Sequence, residues 1–108
     1  MQAVTAFTRA HALDTGRRGR LILTPAAQRH IDRLHGVDLI ALRGVILALA
    51  DEPRPPGAVK LAGVTDLWRI RVRVEGRPWR IVYQLRTRES LVVITRVVPR
   101  DEGTYRRL

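Results

Sequence analysis

The 108-residue sequence contains no cysteine, which removes disulfides, thiol nucleophiles and cysteine-based metal sites at once. Lysine is nearly absent: Lys60 stands alone among 20 basic residues, and the rest are arginines. An arginine keeps its proton at any physiological pH, so the chain is poor in side chains able to take up a proton near neutrality. Its histidines, His11, His30 and His35, are scattered, and no histidine or carboxylate cluster has metal-ligand spacing. No metal and no cofactor are therefore expected. No apolar run approaches the ~18–20 residues of a membrane span. The stretch from Met1 to Gly16 lacks the unbroken apolar core, ~7–15 residues, of a signal peptide. A soluble, cytoplasmic protein with no membrane partner is predicted.

What the sequence does have is positive charge, placed unevenly. The formal net charge is +10; residues 1–53 carry 7 basic and 5 acidic side chains, residues 54–108 carry 13 and 5. The second half thus holds +8 of the total. A basic surface of this kind has three usual partners: nucleic acid, an anionic membrane or an acidic protein. Within that half, Trp68-Arg69-Ile70-Arg71-Val72-Arg73-Val74 alternates apolar and basic residues with a period of two. That is the pattern of a half-buried strand, with Arg69, Arg71 and Arg73 projecting together from the face away from the core. Three neighbouring guanidiniums repel one another, and such a row is best explained by an anion that settles on it.

The remaining patterns define one α+β domain of modest core. Arg20 to Leu23 reads as a short strand. Thr24-Pro25 then opens a helix, with Thr24 as N-cap and Pro25 in the first helical position. Ala27, Ile31 and Leu34 form its apolar stripe, and His35-Gly36 closes it. Asp38 is placed to cap a second helix with the stripe Leu39, Leu42, Ile46 and Leu49, ended by Asp51-Glu52-Pro53. So short a connection predicts a helical hairpin. Beyond the rigid Arg54-Pro55-Pro56-Gly57 connector lie three strand candidates: Leu67–Val74, Trp79–Arg86 and Leu91–Val98. Glu75-Gly76-Arg77-Pro78 and Thr87-Arg88-Glu89-Ser90 turn one into the next. The expected order is β-α-α-β-β-β, an antiparallel-dominated sheet of about four strands with the hairpin packed on one face. Trp68, Trp79 and Tyr83 are read as core residues.

Four blocks of the second half also resemble a known family. Lys60-Leu61-Ala62-Gly63, Leu67-Trp68-Arg69-Ile70-Arg71-Val72, Trp79-Arg80-Ile81-Val82-Tyr83 and Val98-Pro99-Arg100-Asp101-Glu102-Gly103-Thr104-Tyr105 are similar, in order and spacing, to the RelE/ParE toxin superfamily. The match runs from about Arg20 to Tyr105. It assigns residues 18–108 to the toxin domain and leaves 1–17 as an amino-terminal extension without an assigned role. The resemblance implies a toxin of a type II toxin–antitoxin pair, neutralised by a cognate antitoxin whose toxin-binding segment is often acidic. RelE-like members enter the ribosome and cut mRNA through attack by the ribose 2′-hydroxyl, without a metal. ParE-like members keep a similar fold and inhibit DNA gyrase.

By that resemblance Arg80 and Arg100 are the phosphate-stabilising arginines, and Tyr105 is the tyrosine that stacks on a base or donates a proton. Arg69 and Arg71 stand where some RelE nucleases carry lysines. Lys60, Arg73, Arg77 and Arg96 are further candidate RNA contacts. The substitution of arginine for lysine matters chemically. A lysine amid crowded positive charge can be depressed toward neutrality and act as a base; an arginine can clamp charge but cannot accept the proton. Proton transfer then falls to Tyr105 or to the ribosome, or cleavage is slow or absent. Three readings stay open at this point: a ribosome-dependent mRNA endonuclease, a gyrase inhibitor, and a general nucleic-acid-binding module.

Overall fold

The computed structural model of the chain describes residues 20–63 and 65–100. Strand β1 (Arg20–Leu23) leads into helices α1 (Pro25–Asp32) and α2 (Gly36–Asp51). Strands β2 (Val59–Lys60), β3 (Leu67–Val74), β4 (Arg77–Arg86) and β5 (Leu91–Pro99) follow. The class is α+β and the order is as expected, with one strand more: the two-residue β2, which borders β3. In space the sheet runs β1-β5-β4-β3-β2, antiparallel throughout except where β1 lies parallel to β5. The amino-terminal extension, residues 1–17, lies outside the described residues. No helix among the described residues is long and apolar enough to cross a membrane.

Local chemistry accounts for the boundaries. The Thr24 hydroxyl accepts the Ala27 N–H at 3.1 Å and caps α1, with Pro25 at its first position. The second helix begins two residues before Asp38. His35 is its N-cap and makes no side-chain capping bond, so Asp38 is a first-turn residue rather than the cap. It is nonetheless well placed there, since a carboxylate complements the helix dipole. Between β3 and β4 the turn is Glu75-Gly76 alone, with φ of 49° and 82°. Both residues are left-handed, as the tightest hairpin turn of matching twist requires. β4 therefore starts at Arg77 rather than Trp79. Pro78 is tolerated because only its carbonyl is used, accepting the Arg100 N–H at 3.0 Å.

Both helices lie on one face, α1 against β5 and β1, and α2 against β3, β5 and β1. The core between them is built from Leu21, Leu23, Leu42, Ile46, Leu49, Ile81, Ile94 and Val97, all essentially without exposed surface. Each such side chain contributes about 1.5–3 kcal/mol by leaving water. Tyr83 belongs to the same core, and its hydroxyl donates to the Pro53 carbonyl at 2.8 Å. Burial pushes that phenol up to about 12, with the nearby Arg54 opposing. Trp68 and Trp79 are half-buried against this core.

Candidate functional site, an arginine face on the sheet

The pairing register determines which side chains share the face that neither described helix covers. Residues directly opposite one another in adjacent strands point the same way. Ile70 opposes Ile81, and Ile81 opposes Val97; these face the helices. One residue along, Arg71 opposes Arg80 and Arg80 opposes Val98. The row on one side of them is Arg69, Val82 and Arg96. On the other side Arg73 opposes Pro78, to whose carbonyl the Arg100 backbone is bonded. The result is a grid of three strands by three rows carrying Arg69, Arg71, Arg73, Arg80, Arg96 and Arg100, with no acidic residue at any grid position. Strand neighbours stand about 5 Å apart and next-nearest residues along a strand about 6.6 Å apart.

Two features give the grid its shape. The first is a bulge in β5. Val82 pairs with Arg96 but Tyr83 pairs with Ile94, so Thr95 is an extra residue. Its hydroxyl donates to the Val82 carbonyl at 3.0 Å, and its own carbonyl accepts from the Thr24 hydroxyl at 3.4 Å. Unbroken alternation from Val92 and Ile94 would turn Arg96 and Val98 toward the helices. The extra residue restores Val97 to the core and delivers Arg96 to the open face. The second feature is His30 on α1. Its Nδ1 accepts the Val97 N–H at 3.1 Å, at the edge of β5 that β1, ending at Leu23, no longer covers. Burial, followed by the charges of Arg96, Arg33 and Arg29, lowers the His30 pKa below its ordinary value and keeps that nitrogen an acceptor.

The candidate residues thus separate. Arg69, Arg71, Arg73, Arg80, Arg96 and Arg100 come together. Arg71, Arg73 and Arg96 are exposed, while Arg69, Arg80 and Arg100 are half-buried. Arg73 bends back to donate to the Gly76 carbonyl at 2.9 Å. Lys60 and Arg77 are not brought to this face. Lys60 pairs with Trp68, in the set of residues that faces the helices, and Arg77 opposes Val74 and forms an ion pair with Asp38 of α2. Tyr105 lies outside the described residues. Among the described residues no group of His, Asp and Glu is placed to hold a metal ion. The bulge and the His30 bond are what reading the sequence passed over. The one available signal was Arg96 itself, a charge at a position that strict alternation would bury.

Chemically, the grid is suited to hold a polyanion. A guanidinium offers a planar fork of N–H donors that matches phosphate oxygens, and six on one surface can follow successive charges. The grid holds no proton acceptor: its described positions are arginine, valine and proline.

The chain matches the family model described as ParE toxin of type II toxin-antitoxin system, parDE, over residues 21–103. No curated protein matches it. Among solved structures it is similar to a chain of the intact E. coli RelBE toxin–antitoxin complex, at 20% identity and a TM-score of 0.63, over 76% of this chain and 96% of that one. It is also similar to a chain of the RelBE2 toxin–antitoxin complex of Mycobacterium tuberculosis, at 24% identity and a TM-score of 0.61, over 74% and 95%. A third similar structure is the archaeal RelE–RelB complex of Pyrococcus horikoshii OT3, at 20% identity and a TM-score of 0.62, over 79% and 98%. At these identities the structural likeness establishes a shared fold; the family itself rests on the sequence model, which spans most of the chain. The protein belongs to the RelE/ParE superfamily and is a toxin of the type II toxin–antitoxin class.

Proposed function

We propose that the arginine grid is the toxic surface and that it acts on mRNA in the ribosome, in the bacterial or archaeal cytoplasm, as a metal-independent endonuclease. The single observation that carries this reading is Arg71 directly across from Arg80, with four more arginines around them. In the reaction the 2′-oxygen of a ribose attacks the adjacent phosphorus as its proton is removed. The bond from phosphorus to the 5′-oxygen breaks, leaving a 2′,3′-cyclic phosphate and a 5′-hydroxyl once that oxygen is protonated. Negative charge accumulates on the phosphoryl oxygens in the transition state. Fixed guanidiniums from Arg71, Arg80 and Arg100 stabilise it there, the usual largest contribution to such catalysis. Arg69, Arg73 and Arg96 hold neighbouring phosphates. The proton transfers fall to Tyr105 and to the ribosome, since arginine cannot accept a proton.

A second reading, inhibition of DNA gyrase without nuclease activity, is favoured by two observations: the matching family model is that of ParE, and no grid position carries a proton acceptor. On either reading the RelE neighbours seen with RelB suggest that this toxin has a cognate antitoxin, and the grid suits an acidic toxin-binding segment. Purified toxin incubated with programmed ribosomes, and separately with gyrase and relaxed plasmid, tests both. Codon-spaced mRNA cuts that disappear with Arg80→Ala support the nuclease. Blocked supercoiling with intact mRNA replaces it with the gyrase reading. A protein that does neither, and whose expression is harmless, sinks both.

A further inference from the structure

Helix α2 is apolar all round, the pattern of a helix that is covered on every side, yet the described residues cover only one side of it. Leu42, Ile46, Leu49 and Ala50 face the core. On the opposite side Val37, Ile40, Ala41, Gly44 and Ala48 recur at spacings of three and four, a single stripe with no charge in it. Ile40 is 74% exposed and Val37 43%. Gly44, in the middle of the stripe, is also exposed, and a methyl group added there would meet nothing within 4 Å. A glycine in mid-helix weakens its own helix. Here it leaves a flat place in the stripe that a large side chain can fill.

The chain itself carries a complementary segment to this stripe. Its described part begins at Arg20, whose N–H donates to the Ser90 carbonyl at 2.8 Å. Ser90 lines the same cavity as Ala50 of the last turn of α2. Residues 1–19 are thus attached beside the carboxyl end of that helix. In their sequence Ala3, Ala6, Phe7, Ala10 and Leu13 recur at helical spacing, and Phe7 is the sole phenylalanine of the chain. Gly44 lies about 9 Å back along α2 from Ala50, and residues 14–19 can span up to about 20 Å. The same linker carries Arg17 and Arg18, while α2 ends on Asp51 and Glu52 with no basic residue in its last turn. Positive charge is favoured at that end by the carboxylates and by the helix dipole. A second copy of the chain would instead bring a further +10 up to this one. We propose that residues 3–13 dock as a helix on the outer stripe of α2, with Phe7 against Gly44 and Ile40. The docking is independent of what the arginine grid acts on.

The test uses the full chain. Because it contains no cysteine, Gln2→Cys gives one attachment point for a nitroxide spin label. In NMR spectra of methyl-labelled protein the nitroxide should broaden the Val37, Ile40 and Ala41 methyls far more than those of Val82, on the other face of the sheet. Phe7→Asp should lower the ratio of docked to free segment about ten-fold or more, and the broadening at Val37 and Ala41 with it. Ile40→Asp, at an exposed position, should do the same. In a mixture of spin-labelled chains with methyl-labelled chains that carry no nitroxide, broadening of the latter would assign the stripe to a second copy. No preference for the α2 methyls would leave the stripe to a separate partner. Either result overturns the proposal. So does a Phe7→Asp or Ile40→Asp protein, shown by its melting curve to be folded, whose Val37 and Ala41 methyls are broadened as in the parent.

Discussion

On the helix-covered side of the sheet, Ile70, Ile81 and Val97 form one cross-strand row, while the next row along the same strands is Arg71, Arg80 and Val98 on the open side. The first row is at most 9% exposed and is closed by two helices. The second gathers like charges at a spacing where opposed pairs are destabilising. A period of two thus writes two different programmes into one stretch of chain. One stabilises the fold; the other gathers positive charge on one face, the arrangement expected of a surface that meets an anion.

The largest expected effect breaks the comparison at the open face. Arg80→Ala should lower mRNA cleavage by about 10²–10³-fold, as removal of one preorganised charge stabiliser typically does. Lys60→Ala, in β2 and in register with the helix-facing residues of β3, should change it by less than about two-fold, because a single exposed charge off the site adds little. Cleavage measured in a translation extract checks both, with circular dichroism confirming the fold. If Lys60→Ala proves as damaging as Arg80→Ala, the division between the faces is wrong.

The seam between the faces gives the next two effects. His30 accepts the Val97 N–H only while its Nδ1 is unprotonated. Its folded pKa lies below the ordinary 6.5. The unfolded chain therefore binds more protons as the pH drops below about 6.5, and stability present above that value is lost as the pH falls through the folded pKa. Urea unfolding of the parent and of His30→Gln at pH 5 and pH 7.5 should show a smaller pH dependence in the variant. Identical pH dependence would remove His30 from the account. Tyr83→Phe, on the covered face, removes the bond to the Pro53 carbonyl and should cost about 1 kcal/mol in the same measurement.

How much of this was legible in the sequence follows from what each feature depends on. The Thr24-Pro25 start of α1 and the whole of β3 are local: a cap and a strict alternation decide them, and both are found as expected. The start of α2 was misplaced because Asp38 is as good a first-turn residue as a cap, and its partner, Arg77, is 39 positions away. The two-residue β2 has no pattern of its own; it exists because β3 has an edge to pair. The grid was half legible. Arg69, Arg71 and Arg73 announce themselves by alternation, but Arg96 joins them only through the extra residue at Thr95, held by side chains from β1's end and from β5 itself. The separation of Lys60 from the arginines was invisible for the same reason: register is a property of strand pairs, not of either strand.

The smallest effect is the most pointed, because its sign is the reverse of most substitutions. Arg71 is exposed and lies directly opposite Arg80. At about 5 Å two unit charges repel by about 0.8 kcal/mol at the dielectric of water, and long side chains that splay apart recover part of it. Threonine keeps the strand preference of the position and adds no charge. Arg71→Thr should therefore raise the urea midpoint, by about 0.5 kcal/mol in unfolding free energy, while lowering toxicity. The gain should shrink in 1 M salt, where the screening length falls to about 3 Å. A variant both less stable and less toxic would mean that Arg71 supports the fold as Ile70 does, and the contrast between adjacent rows would then lose its energetic basis.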